Sequence, residues 1–111
     1  MLTRIYFGVF DGMRIVQRGS NGSNVAIMKD VHCITTNESY EQVAVPLNTV
    51  IGNALPHIQR GDNIVMRLAR QDNVSPPVVE SFYILPYWYK SVPLDQWDKV
   101  LNELQKRERQ P

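Results

Sequence analysis

Short runs in which apolar and polar residues alternate, separated by turn-forming residues, fill most of this 111-residue chain. In the first run Ile5, Phe7 and Val9 occupy every second position. Side chains with this period-two spacing point alternately to the two faces of a sheet. The alternation therefore predicts a mainly β protein, because it covers most of the chain before the C-terminal part.

The turn residues divide the chain into predicted strands at 2–10, 13–18, 25–36, 40–47, 63–70 and 78–85. Asp11-Gly12 is a dipeptide typical of two-residue hairpins, so it predicts a hairpin between the first two runs. Asn48 is a suitable N-cap for a short helix that begins at Thr49 and ends before Pro56. The sequence Arg60-Gly61-Asp62 predicts a turn before the strand at 63–70.

One amphipathic helix is predicted near the C-terminus. Leu94, Trp97, Leu101 and Leu104 are spaced to form one apolar stripe on a helix. Pro93 suits the first helical turn, because its fixed backbone angle matches the helix and its missing N–H is not needed there. This helix requires burial of its stripe against another surface.

Five or six short strands followed by one terminal helix predict a small five-stranded OB-like barrel over residues 1–86. Residues 87–111, an aromatic segment and the helix, are predicted to pack on the barrel or on a partner. A β-sandwich or an α+β sheet with the same number of strands is the alternative.

Composition excludes several classes of protein. Hydrophobic residues make up 43% of the chain, charged residues 21%, and the formal net charge is +1. These values fit one ordinary globular domain, and they argue against a membrane span and against wrapping of duplex DNA. Cys33 is the only cysteine and we expect no signal peptide, so we predict a cytoplasmic protein.

No spacing of residues typical of an enzyme is present. His32 and Cys33 are neighbours on a predicted strand and therefore point to opposite faces. A catalytic site drawn from His57, Asp62 and Glu80 has no support from spacing. We predict a protein that is not an enzyme and that uses no cofactor or metal.

Basic residues interleaved with aromatics predict binding of single-stranded nucleic acid, because cations follow phosphates and aromatic rings stack on bases. Tyr6 and Phe10 are expected on the non-core face of the first strand. DNA is the expected ligand, with RNA as the other polymer. The hypothesis requires the basic residues to converge in one groove. The candidate binding residues are Tyr6, Phe10, Arg14, Arg18, Lys29, Tyr40, Arg67 and Arg70.

The layout from Val16 to Pro86 resembles the single-stranded-DNA-binding proteins of filamentous phages. Arg18 leads into a loop rich in Gly, Ser and Asn, a cysteine-bearing strand follows, and a glycine turn precedes the strand that carries Arg67. The resemblance implies an OB-fold dimer that coats single-stranded DNA. It also implies Arg18 on the DNA-binding loop, with Tyr40 and Arg67 as groove residues.

The aromatic segment Tyr87-Trp88-Tyr89 and Trp97 form a second candidate surface. Three interpretations are open: Trp97 packs on the barrel, the aromatics form a dimer interface, or they stack on bases. The alternative function is a β-barrel interaction module, such as a phage or plasmid accessory protein, that contacts another protein through this segment.

Overall fold

The computed structural model describes residues 2–18, 21–70, 77–85 and 91–109, with side chains except at positions 17, 18, 21, 94, 105 and 107–109. Five antiparallel strands form one sheet, and helices lie on both of its faces. The elements in chain order are β1 Leu2–Arg18, β2 Asn21–Cys33, β3 Glu38–Pro46, α1 Thr49–Ala54, β4 Asn63–Arg70, β5 Val78–Ile84 and α2 Trp97–Arg109. Short 3-10 segments at Leu55–His57 and Leu94–Gln96 follow α1 and precede α2.

The strand order is β3-β2-β1-β4-β5, with β1 in the centre of the sheet. The chain passes from β3 at one edge through α1 to β4 on the other side of β1. The mainly β prediction is confirmed. Among the described residues, however, the sheet is open rather than closed into a barrel, because β3 and β5 are not paired.

The predicted hairpin at Asp11-Gly12 is wrong, because β1 runs through both residues as one strand of 17 residues. The register of β1 against β2 shifts between Phe10 and Met13, which marks a bulge. Gly12 has φ of 98° and supplies the positive backbone angle that such a bulge accepts. The same dipeptide that favours a hairpin turn therefore bends a long strand here.

The segment from Asn48 to Arg70 follows the sequence prediction closely. The Asn48 side chain accepts a hydrogen bond from the Ile51 N–H at 3.1 Å and caps α1. Gly61, in the predicted turn, has φ of 99°. β4 has the bounds that its alternating pattern predicts. Asn48 also donates from Nδ2 to the carbonyl of Val79 at 2.9 Å, which ties the end of β3 to β5.

The first hydrophobic core lies on the face of the sheet that α1 covers, which we call the α1 face. Ile51 of α1 is fully buried against strand residues there. Tyr6 and Met13 pack at the border of this core. Its buried members are Phe10, Ala26, Met28, Val31, Val45, Ile51, Ile64, Met66, Leu68, Val79 and Phe82.

The second core lies on the opposite face, under α2, which we call the α2 face. Trp97 is 1% exposed and meets Phe7 edge-to-face, with ring centroids 4.9 Å apart. Leu101 is buried beside it, with Ile5 and Val65 beneath. The predicted amphipathic helix is confirmed, and its stripe packs on the sheet of this chain. No helix in the described part of the chain is long and apolar enough to cross a membrane.

Candidate nucleic-acid interface

A pocket of about 260 Å³ opens at the end of the sheet where β1 begins and β4 ends. Two tyrosines and two arginines contribute to its wall, and we call it the Tyr6–Tyr40 pocket. It is lined by Leu2, Arg4, Tyr6, Tyr40, Leu68, Ala69, Arg70 and Pro77. Three of these, Tyr6, Tyr40 and Arg70, are among the predicted binding residues.

Strand register explains why these side chains meet. Leu2, Arg4 and Tyr6 occupy alternate positions of β1 and so share one face. Arg70 lies opposite Leu2 on β4, and residues directly opposite one another in an antiparallel pair project on the same side. Tyr40 enters from β3, the edge strand beyond β2. The pocket therefore lies on the α1 face and draws on three strands.

Tyr6 is partly buried, and its phenol lies near the Arg4 guanidinium and the Cys33 thiol. Burial raises the pKa of the Tyr6 phenol, although hydrogen bonding by Arg4 opposes this effect. The hydroxyl group is therefore protonated at neutral pH.

Tyr40 is 37% exposed and its hydroxyl donates to Glu38 Oε2 at 2.5 Å. This is a short, charge-assisted hydrogen bond between two residues on the same face of β3. It raises the pKa of the Tyr40 phenol, and burial adds to the increase. The Glu38 carboxylate therefore lies at the hydroxyl end of a ring that solvent reaches.

The two arginines of the pocket are free of salt bridges to the rest of the described chain. Neither Arg4 nor Arg70 has a carboxylate of a described residue within 4.0 Å, although Glu38 attracts Arg4 over a longer distance. The described lining of the pocket thus holds two guanidinium groups and no carboxylate, so it is positively charged in a chain whose formal charge is only +1.

Arg67 lies in a different environment from the predicted groove. It projects from β4 to the α2 face, is 12% exposed, and donates to Asn102 Oδ1 at 3.1 Å. Carboxylates of Glu80 and Asp98 lie 3.5 and 3.9 Å from its guanidinium nitrogens. Arg67 therefore connects the sheet to α2, and its predicted position in a groove with the other basic residues is wrong.

Of the remaining basic candidates, Lys29 and Arg14 also lie away from the pocket. Lys29 forms a salt bridge with Asp11, with 3.1 Å between Nζ and Oδ2, and it lies on a part of β2 outside the pocket. Arg14 is exposed near the far end of β1, eight positions beyond Tyr6, which is about 26 Å along an ideal strand. Arg18 ends β1, and its side chain lies outside what the structure describes.

Phe10 is the clearest correction among the aromatic candidates. It shares the α1 face with Tyr6, but at Phe10 that face is covered by the core. Phe10 is 5% exposed and packs edge-to-face against Phe82, with centroids 6.5 Å apart. Stacking on a base is therefore not open to it, because both of its faces are already covered.

The predicted interface through the C-terminal aromatics is corrected at Trp97. This ring is enclosed between α2 and the sheet of its own chain, so it cannot contribute to a partner surface. The interpretation in which the helix folds back onto the strands is confirmed. Tyr87, Trp88 and Tyr89 lie outside the described residues.

A second pocket, of about 390 Å³, lies beside β5 and between the two helices. His57 and Glu80 both line it, whereas Asp62 caps the turn before β4 by accepting from the Gln59 N–H at 2.9 Å. The three residues considered for catalysis are thus divided between two places. No group of three potential metal ligands occurs within the described residues.

Sequence reasoning missed two residues of the interface, Arg4 and Glu38. Arg4 could have been found from its position two residues before Tyr6, on the same face of the strand. Glu38 falls between the predicted strands at 25–36 and 40–47, whereas the structure makes it the first residue of β3. Comparison of the chain with family models, curated proteins and solved structures gives no match.

Proposed function

We propose that this chain is a non-enzymatic protein that binds single-stranded nucleic acid, with DNA as the expected ligand, in the Tyr6–Tyr40 pocket. One observation carries the proposal: two tyrosines and two arginines without salt bridges to described residues line the same pocket. Stacking on Tyr40 provides base contact, and Arg4 and Arg70 provide contact to phosphate. The modest net charge is compatible with this mode of binding, which uses few cations.

The connectivity of the sheet supports an OB-type fold. β1 pairs with both β2 and β4, the helix lies between β3 and β4, and Asn48 links the end of β3 to β5 across the open side. OB folds bind oligonucleotides on the face of their second and third strands and at the loops beside it. Tyr40 lies on that third strand, and Pro77 follows the connection from β4 to β5.

A homodimer is part of the proposal, and the outer part of the β1–β2 pair supports it. Beyond Met13, β1 pairs only with β2 among the described residues. The pairing of β2 with the β3 side of the sheet reaches only to Asn24, whose carbonyl accepts from the Leu47 N–H. Ile15 is 69% exposed on it, and Leu47 is exposed on the other side of Asn24. Two-stranded ribbons are marginally stable alone, so a covering partner would stabilise this one.

The proposal is tested by fluorescence anisotropy with a labelled single-stranded DNA of mixed sequence, about 12 nucleotides long, within the usual range for one OB fold. We expect saturable binding at low salt that weakens as salt is added, because counterions are released from the phosphates. Tyr40→Leu is expected to weaken binding by about tenfold, since stacking contributes ~1–3 kcal/mol per base.

Tyr83→Leu is the matched control, because Tyr83 is a partly buried tyrosine that lines the pocket beside β5 instead. It is expected to leave the affinity unchanged. Equal losses in the two variants would place binding elsewhere. Absence of binding to the wild-type protein at low salt would overturn the proposed function, and RNA of the same sequence tests the other polymer.

A further inference from the structure

The hydrogen bond between Tyr40 and Glu38 places a carboxylate where a base stacked on Tyr40 would present its edge. The two residues are on one face of β3, and the hydroxyl group donates to only one of the carboxylate oxygens. Because the phenol is the donor, the carboxylate remains an acceptor with further lone pairs available. Glu38 is exposed, so those lone pairs face solvent or a ligand.

Register brings the same carboxylate to the row of residues that holds Tyr6. Glu38 lies opposite Cys33 on β2, and Cys33 lies opposite Tyr6 on β1. All three side chains therefore project from the α1 face. The attraction between Glu38 and Arg4 is consistent with this placement. The carboxylate thus lies on the same face as the pocket and next to its Tyr40 wall, although Glu38 is not itself a lining residue.

A carboxylate on a stacking platform discriminates between bases, because it accepts hydrogen bonds and donates none. Guanine presents two adjacent donors, N1–H and the N2 amino group, on its Watson–Crick edge. Thymine and uracil present one N–H between two carbonyl oxygens. Their carbonyl oxygens repel a carboxylate, because both groups are acceptors with full or partial negative charge. Bases in single strands are read on this edge once they are splayed out and stacked.

We propose that Glu38 makes the Tyr6–Tyr40 pocket selective, favouring guanine over thymine or uracil at the position stacked on Tyr40. This inference rests on the proposed function, which it extends from a class of polymer to a preferred base. It assigns to Glu38 a contact with the ligand itself, in addition to its hydrogen bond with Tyr40.

Three oligonucleotides of about 12 nucleotides, the length used above, test the inference. They are an alternating dT/dG sequence, the same sequence with inosine in place of guanine, and oligo(dT). Inosine lacks the N2 amino group and so offers one donor fewer. We expect the dT/dG sequence to bind about tenfold tighter than oligo(dT), as a bidentate contact to a base provides, with the inosine sequence between them.

Glu38→Gln is the decisive variant, because the amide keeps an acceptor for Tyr40 but adds a donor that tolerates thymine. It is expected to bring the three affinities within about twofold of one another, which is well below the discrimination of a bidentate contact. Glu41→Gln is the matched control, since it removes the same charge from an exposed residue of β3 that neither lines the pocket nor bonds to Tyr40. It is expected to keep the order of affinities.

Three outcomes would overturn the inference while leaving the proposed function in place. The wild-type protein could bind the three oligonucleotides equally, or it could prefer oligo(dT). The third outcome is a preference for guanine that persists in Glu38→Gln. Failure of all three to bind would overturn both. The two failures are therefore distinguishable in one set of titrations.

Discussion

Arg67 and Arg70 lie three residues apart on β4, and they illustrate how the two faces of this sheet differ. Arg67 projects to the α2 face, where Asn102, Glu80 and Asp98 surround its guanidinium. Arg70 projects to the α1 face, is exposed, and lines the Tyr6–Tyr40 pocket with no carboxylate of a described residue within 4.0 Å. Arg67 therefore stabilises the fold, whereas Arg70 is available to contact a ligand.

This difference separates the residues that hold the chain together from those that bind. The α2 face is covered by a helix whose Trp97 packs on Phe7 and whose Asn102 and Asp98 contact Arg67. The pocket on the α1 face combines the exposed ring of Tyr40 with two arginines that form no salt bridge to a described residue. Substitutions on the α2 face should therefore change stability, and substitutions around the pocket should change affinity.

The largest expected effect is on stability, from Trp97→Ala. This side chain is buried between α2 and the sheet, and its ring contacts Phe7. We expect a loss of about 3–5 kcal/mol in the free energy of unfolding, as is typical of large aromatic residues truncated in a core. Chemical denaturation followed by circular dichroism measures it. A loss below about 1 kcal/mol would show that α2 does not pack here, since surface changes have effects of that size.

Arg67→Ala is expected to destabilise the fold by about 1–3 kcal/mol, because Glu80 and Asn102 lose a largely buried hydrogen-bonding partner. The affinity for single-stranded DNA, measured where the variant is fully folded, is expected to stay within about twofold of wild type, since a phosphate contact would contribute more. A large loss of affinity at unchanged stability would contradict the difference between the two faces.

Arg70→Ala is expected to have the opposite profile. Its free energy of unfolding should change by no more than about 0.5 kcal/mol, because the side chain is exposed. Its affinity for DNA should fall, and the slope of log affinity against log salt should decrease by about 0.7, the value for one phosphate contact to a single strand. Arg60→Ala, which removes an equally charged and exposed residue outside the pocket, is the control.

The sequence predicts those features that depend on local signals and misses those that depend on contacts between distant residues. β4 and the cap of α1 follow directly from alternation and from the chemistry of Asn48, because both signals are local. The Asp11-Gly12 hairpin fails because a positive φ at Gly12 serves a turn and a bulge equally well. Only pairing with distant residues, such as the hydrogen bond from the Phe10 N–H to the Asp62 carbonyl, decides between them.

The candidate site shows the same limit. Alternation identifies residues that share a face of a strand, and it correctly groups Tyr6 with Phe10. It does not say whether that face is covered, and along β1 it is covered at Phe10 but open at the pocket near Tyr6. The convergence of Tyr40 and Arg70 depends on strand order, which a single sequence does not contain.

The smallest expected effect is on the pH dependence of stability. The pKa values of Tyr6 and Tyr40 lie above the ordinary 10.0, so the folded chain holds these protons more tightly than the unfolded chain. Their contribution to stability is complete below about pH 10 and is lost as the pH rises through the folded-state pKa. Tyr40→Phe should remove part of this alkaline loss, measured as the difference in denaturation midpoints between about pH 9 and pH 11. An unchanged difference would contradict the role of Glu38 in raising the Tyr40 pKa.

A nuclear magnetic resonance titration of the isotope-labelled protein with single-stranded DNA directly tests whether the ligand binds in the Tyr6–Tyr40 pocket. We predict chemical-shift changes concentrated at Tyr6, Tyr40 and Arg70, with the indole N–H of Trp97 and the guanidinium Nε–H of Arg67 unmoved. Changes concentrated on α2 and around Arg67, with the pocket residues unaffected, would contradict the account.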